Sequence, residues 1–160
     1  MKRPKLIVDG YNVIHRLEKY RRLQKKEVEL AVNQLINDLS RLRASTDCRV
    51  TVVFDGKGES VEMKAGVEVI YSAKGKTADT VIERLSRSEK GRLMVVTADY
   101  QQQKVVFRKD VSRITPHELS MLIEEADEEI RSDRPVSDRT FLEDRLPRDI
   151  RDKLDRWRKE

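Results

Sequence analysis

Cysteine, histidine and aromatic residues are scarce in this chain, and each shortage excludes something. Cys48 is the single cysteine, so no intrachain disulfide can form, and with only His15 and His117 beside it a His/Cys zinc site is nearly excluded. Any metal must then be held by carboxylates. No apolar run approaches the roughly 18 residues a membrane span needs. The N-terminus passes from Met-Lys-Arg-Pro straight into a short apolar stretch, without a signal-peptide core or cleavage site, so the expected location is the cytoplasm. Only 6 glycines and 4 prolines, with no low-complexity tract or fixed-period repeat, argue against disorder and solenoid architectures.

Charge is what the chain has in abundance. Its 160 residues are 39% charged and 38% hydrophobic, enough for one compact core beneath a densely charged surface. The net charge of +5 and a pI of 9.3 give a weak pointer to a polyanionic partner such as nucleic acid. Its distribution is more telling. Residues 1–26 hold 9 basic and 2 acidic side chains, whereas residues 118–133 hold 7 acids against Arg131 alone.

Hydrophobic periodicity predicts strands at residues 5–9, 49–55, 67–71, 92–97 and 111–114. Between the first two, Val28, Ala31, Val32, Leu35, Ile36, Leu39 and Leu42 recur at spacings of three and four, predicting a helix over residues 27–44. A second helix opens at Thr77 as N-cap, and a short one is expected over 99–107. A fourth follows the capping box of Thr115 and Glu118 and runs to about residue 131. Strands alternating with helices imply an α/β fold with a mainly parallel sheet of about five strands covered on both faces. From Arg134 the character changes: Pro135 and Pro147 flank a charged stretch, and Leu146, Ile150, Leu154 and Trp157 recur at helical spacing. The expected division is a domain over residues 1–133 and a charged amphipathic helical tail over 134–160, either docked on the domain or serving a partner.

In an open parallel sheet, ligands bind beyond the carboxyl ends of the strands. Asp9, Asp55 and Asp99 lie at or just after three such ends, and Asp79 lies in the first turn of the helix after another. Each has a bland reading, as a turn residue or as an acid favoured at a helix N-terminus. Jointly they are harder to dismiss, because two unit charges about 4 Å apart repel by roughly 4 kcal/mol at an effective dielectric near 20. Such a cluster needs a counter-ion. Oxygen donors without His or Cys select Mg²⁺ or Mn²⁺, and the chemistry implied is phosphoryl transfer or phosphodiester hydrolysis. Asn12 is placed to orient a ligand or water, and Glu83, four residues after Asp79, is either an outer carboxylate or a solvated helix charge. No glycine-rich phosphate loop is present, Gly56-Lys57-Gly58 being too short a match, so no nucleotide cofactor is expected.

Val8-Asp9-Gly10-Tyr11-Asn12, the strand ending at Asp55, Thr77-Ala78-Asp79 with Ile82-Glu83-Arg84, and Thr97-Ala98-Asp99-Tyr100 followed by Gln103 to Phe107 occur in this order along the chain. Together they closely resemble the YacP-like branch of the NYN domains, PIN-like bacterial nucleases, over residues 5–130. The resemblance implies a PIN-like three-layer fold and a metal-dependent endoribonuclease. It implies Asp9, Asp79 and Asp99 as the core metal site with Asp55 as fourth member, and products with 5′-phosphate and 3′-hydroxyl ends; Asn12 is counted among the catalytic candidates, and Glu83 and Thr97 as supporting ones, on their positions in the sequence. The branch includes ribosome-associated nucleases that cut messenger RNA, which puts a ribosomal partner among the expectations. The segment 108–113 lacks the glycine-containing turn expected of the family, and the tail from Arg134 has no counterpart in the motifs.

Arg16, Lys19, Arg21, Arg22, Lys25 and Lys26 follow the first motif with Glu18 as the one acid among them, making this the best phosphate-contact segment. Tyr11, His15 and Tyr20 are interleaved as candidates to stack on unpaired bases. Lys74 and Lys76 form a second basic candidate beside Asp79. The bland reading of the segment is a solvated loop leading into the next helix. A different class of function, a non-cleaving RNA- or ribosome-binding adaptor that retains the fold, stays open at this level; it predicts salt-sensitive binding that survives loss of the acids.

Overall fold

The computed structural model describes residues 3–56, 58–98 and 110–132. Its centre is β1 (Lys5–Asp9), hydrogen-bonded in parallel to β2 (Arg49–Phe54) on one side and to β5 (Leu93–Val96) on the other. Outward from β2 come β4 (Val67–Tyr71), parallel, and β3 (Ser60–Lys64), antiparallel; outward from β5 comes β6 (Val111–Ile114), parallel. The order is β3-β4-β2-β1-β5-β6.

Side-chain alternation along β1 sends Leu6 and Val8 to one face and Ile7 to the other, and both faces are covered, which is why these strands read as continuous apolar runs. On the first face lie α1 (Gly10–Arg16), α2 (Glu18–Lys26), α3 (Val28–Thr46) and α5 (Pro116–Ser132). Their core includes Val13, Ile14, Leu35, Leu39 and Leu122 against Val50, Val52 and Phe54. On the second face α4 (Ala78–Ser88) sets Val81 and Ile82 against Ile7, Val53 and Val95. Among the described residues no helix is long and apolar enough to cross a membrane.

The α/β architecture and five of the strands match the periodicity, and the structure adds a sixth. β3 carries no buried residue, so it has no apolar face to read; it is held as an edge strand by its ladder with β4. The basic segment after residue 16 is helix α2 rather than a loop, with a break at Leu17, whose backbone is extended. In the stripe of α3, Val28 is 43% exposed, one turn before the core begins. Thr77 caps α4 by accepting from Thr80 N–H, and Thr115 and Glu118 exchange the two capping-box bonds expected of α5. The expected helix over 99–107 and the tail over 134–160 lie outside the described residues.

Candidate active site

The strand order reverses at β1: the chain runs out through β2 and β4, then returns to the other side with β5. That switch opens a crevice beyond the carboxyl ends of β1 and β5. Asp9 is the last residue of β1, half-buried, in register with Val53 of β2. It stands at the N-cap position of α1, yet its side chain makes no capping bond to that helix. The bland reading of Asp9 as a cap therefore finds no support in the geometry. Asp55 is the opposite case. Its Oδ1 accepts the N–H of Ala78 at 2.5 Å, joining the end of β2 to the first turn of α4. Asp79, the next residue, is half-buried at the same rim.

Asn12 makes a corresponding tie on the other side. From α1 its Oδ1 accepts the N–H of Ala98 at 2.9 Å, binding the first helix to the chain that leaves β5. Thr97 is fully buried, and its N–H donates to Ile114 O at 3.1 Å, fixing the same strand end to β6. Asp99 follows directly in sequence and lies outside the described residues. Among the described residues no three acids, histidines or cysteines come close enough together to hold a metal ion. Glu83 accepts from Arg87 at 2.7 Å along the outside of α4, the pairing of an ordinary helix charge.

Phe54 organises the floor of the rim. Fully buried, it meets Tyr11 edge-on at 4.9 Å and stacks with Tyr71 at 5.6 Å; Tyr11 in turn stacks with His15 at 6.4 Å. Gly10 is required here, because a Cβ at that position would stand 2.2 Å from the Phe54 ring. Burial, with the nearby Tyr71 and Asp55, pushes the Tyr11 hydroxyl above its ordinary pKa, so it remains a neutral donor. The turn after β4 is pinned to the same edge: Ser72 Oγ accepts from Gly56 N–H at 3.1 Å and donates to Lys76 O at 2.7 Å. This sets the exposed Lys74 and Lys76 beside Asp55 and Asp79.

Arg16, Arg21, Arg22, Lys25 and Lys26 are exposed on α1 and α2, Arg22 being paired with Glu18 at 2.8 Å. His15 is exposed and within 3.1 Å of the Gln24 amide. Tyr20 corrects the expectation of a base-stacking ring: it is 1% exposed, and its hydroxyl donates to Asp38 at 2.6 Å. It belongs to the core because Tyr20 and Leu23 of α2, with Leu17 at its N-cap, face inward. Asp38 is a residue the pattern reading passed over. It is fully buried on α3 and also accepts from Lys19 at 2.7 Å, Gln34 at 3.0 Å and Arg41, which reaches on to Asp127 of α5 at 2.6 Å. An acid between Leu35 and Leu42 on the apolar stripe was its signal. Tyr71, the last residue of β4, was likewise legible as an aromatic at a strand end.

Comparison with known proteins bears on the family and the fold. The family described as the YacP-like NYN domain matches residues 6–159, a span that takes in the stretch after Arg134. The chain is 29% identical over 163 residues to the uncharacterized protein YacP of Bacillus subtilis strain 168, covering 96% of each. The crystal structure of Rae1 (YacP) from Bacillus subtilis superposes with a TM-score of 0.69 at 28% identity, covering 99% of this chain and 95% of that one. The structure of its tryptophan-to-leucine mutant superposes at 0.65, also at 28% identity, covering 94% and 98%.

Proposed function

The chain belongs to the YacP-like NYN domain family, within the PIN-like nuclease superfamily, and on that premise we propose that it is a metal-dependent endoribonuclease. The observation that supports this reading is that Asp9 ends β1, Asp79 lies in the first turn of α4 tied to Asp55, and Asn12 ties α1 to Ala98, all at the carboxyl edge of the sheet, with an exposed basic helix following α1. The rim supplies carboxylate and amide oxygens, a donor set suited to Mg²⁺ or Mn²⁺. Asp9 and Asp79 with Asp99 would hold the ion, with Asp55 as the fourth carboxylate. When bound, such an ion polarises a phosphate and lowers the pKa of a coordinated water.

The chain's own residues do the positioning. Asn12 holds the segment leading to Asp99, Asp55 holds the N-terminus of α4 and so Asp79, and Tyr11 presents a protonated hydroxyl at the rim. Arg16, Arg21, Lys25 and Lys26, with Lys74 and Lys76, carry the phosphates of the flanking strand, and the half-buried Tyr11 and exposed His15 offer ring faces to unpaired bases. The substrate we assign is single-stranded RNA, with messenger RNA on the ribosome as the family-derived candidate.

The test is cleavage of end-labelled RNA, free and ribosome-bound, with Mg²⁺, Mn²⁺ or EDTA, by wild type, Asp9→Asn and Asp79→Asn. We expect metal-dependent cleavage by wild type and a loss of at least about a hundredfold in either variant, with RNA affinity kept. Equal cleavage by all three overturns the assignment. RNA binding without cleavage under any condition favours the adaptor.

A further inference from the structure

A second charged feature lies at the opposite pole of the sheet, outside the amino ends of the strands. The four residue steps of β1 from Lys5 to Asp9 separate it from the carboxyl rim by about 13 Å at the usual rise per strand residue. It is a cavity of about 240 Å³, lined by Arg3, Lys5, Arg43 and Arg49 together with Glu68 and Met63. Lys5 and Arg49 are register partners that open β1 and β2. The last turn of α3 brings in Arg43, and the β3–β4 hairpin supplies the remaining wall.

Like charges gathered this closely repel unless anions accompany them. The protein supplies some. Asp47 takes Arg3 at 3.0 Å, and Glu89 takes Arg49 at 2.8 Å and Lys5 at 3.9 Å. Glu68 accepts from Thr51 Oγ at 2.9 Å. Arg43 forms no ion pair with any other described residue. Its guanidinium rests on Gly66, where a Cβ would approach Arg43 Nη1 to 2.8 Å and where φ is +83°. The hairpin thus makes room for a guanidinium at the wall of the cavity. Met63 beside it is 66% exposed, a polarizable side chain left uncovered on an edge strand.

We propose that this cavity binds a nucleotide unit: a 5′-phosphate on Arg43 and its basic neighbours, and a base against Met63 with its amino group donating to Glu68. Guanidinium groups match phosphate in a planar two-point fashion, a thioether packs well on an aromatic ring, and a carboxylate accepts from an exocyclic amine while opposing a bare polyanion. At about 240 Å³ the cavity falls below the roughly 300–1,000 Å³ of sites that enclose a whole small ligand, so it holds the phosphate and part of the base and leaves the rest of the nucleotide in solvent. The same chemistry is offered by a free nucleotide and by the phosphorylated end of an RNA.

The experiment is calorimetric titration without divalent metal, which separates it from the cleavage test. Adenosine 5′-monophosphate, adenosine, inorganic phosphate, and oligoadenylate with and without a 5′-phosphate are titrated into wild type, Arg43→Glu, Arg43→Met and Asp79→Asn. We expect the monophosphate to bind wild type and Asp79→Asn equally, to bind both Arg43 variants at least tenfold more weakly, and to bind more tightly than either of its parts. If the 5′-phosphorylated oligomer shows the same Arg43 dependence, the ligand is an RNA end; if only the monophosphate does, it is a free nucleotide. No binding of the monophosphate, equal binding by folded Arg43→Met, or loss of binding in Asp79→Asn overturns the proposal.

Discussion

Asp38 is fully buried yet keeps its charge, because Lys19, Tyr20, Gln34 and Arg41 all donate to it. Burial alone would raise its pKa; the hydrogen bonds from Lys19, Tyr20 and Gln34 outweigh that and hold it below the ordinary carboxylate value. Burial, reinforced by the Asp38 charge, keeps the Tyr20 phenol protonated far above its usual range. A depressed folded pKa contributes stability that is complete above the unfolded value, about 3.9, and is lost as pH falls through the folded one. We therefore expect Asp38→Asn to destabilise the protein by about 3 kcal/mol at pH 7, with the gap to wild type in urea unfolding closing below about pH 4. A gap that does not change with pH would assign the residue to packing alone. Gly10→Ala drives a methyl into the buried Phe54 ring and should cost about 1–3 kcal/mol, read as a thermal midpoint lowered by several degrees.

At the scale of elements, α4 is the piece whose placement matters most for the rim, and it is held from both sides of its first turn. Thr77 caps it locally, and Asp55 accepts the Ala78 N–H from the end of β2. Because one oxygen of Asp55 is engaged in that bond, Asp55→Asn should keep both stability and cleavage, the latter within about tenfold. Asp55→Ala should lose about 1 kcal/mol of stability and cleavage along with it. A collapse of cleavage in stable Asp55→Asn would instead make its charge part of the metal site. The Thr77 cap and the capping box of α5 were legible because each is written within four residues. Helix α2 was not, since its two apolar residues, Tyr20 and Leu23, are outnumbered by bases, and neither was β3, an edge strand with no buried side chain on either face to give an alternating pattern.

Across the whole molecule, charge is separated more sharply than the net +5 suggests. Asp9 and Asp55 stand at carboxyl ends of the strands and α2 exposes its bases, while the amino rim gathers arginines around a cavity. If α2 carries RNA phosphates, Arg21→Glu with Lys25→Glu, made in Asp79→Asn to prevent cleavage, should weaken RNA binding. The slope of log affinity against log salt should fall by about 1.4, two contacts at about 0.7 each for single strands. Fluorescence anisotropy over a potassium chloride series measures it, and an unchanged slope would move the phosphate contacts elsewhere.

Much of this protein is present in the linear pattern. Apolar runs and helical stripes determine five of the six described strands, three of the helices and the N-caps of two of them, and the ordered Asp-bearing motifs point to one rim and one family. Those features depend on neighbours a few residues apart, and local spacing encodes them. What each acid does was decided by folding. Asp55 meets Ala78 across 23 residues and Asn12 meets Ala98 across 86, whereas Asp9 leaves its own helix uncapped. Folding likewise turned Tyr20 inward onto Asp38 and gathered Arg3, Arg43 and Arg49 from three separate segments. Contacts of that kind arise from strand order and helix packing, which no single stretch of the chain contains.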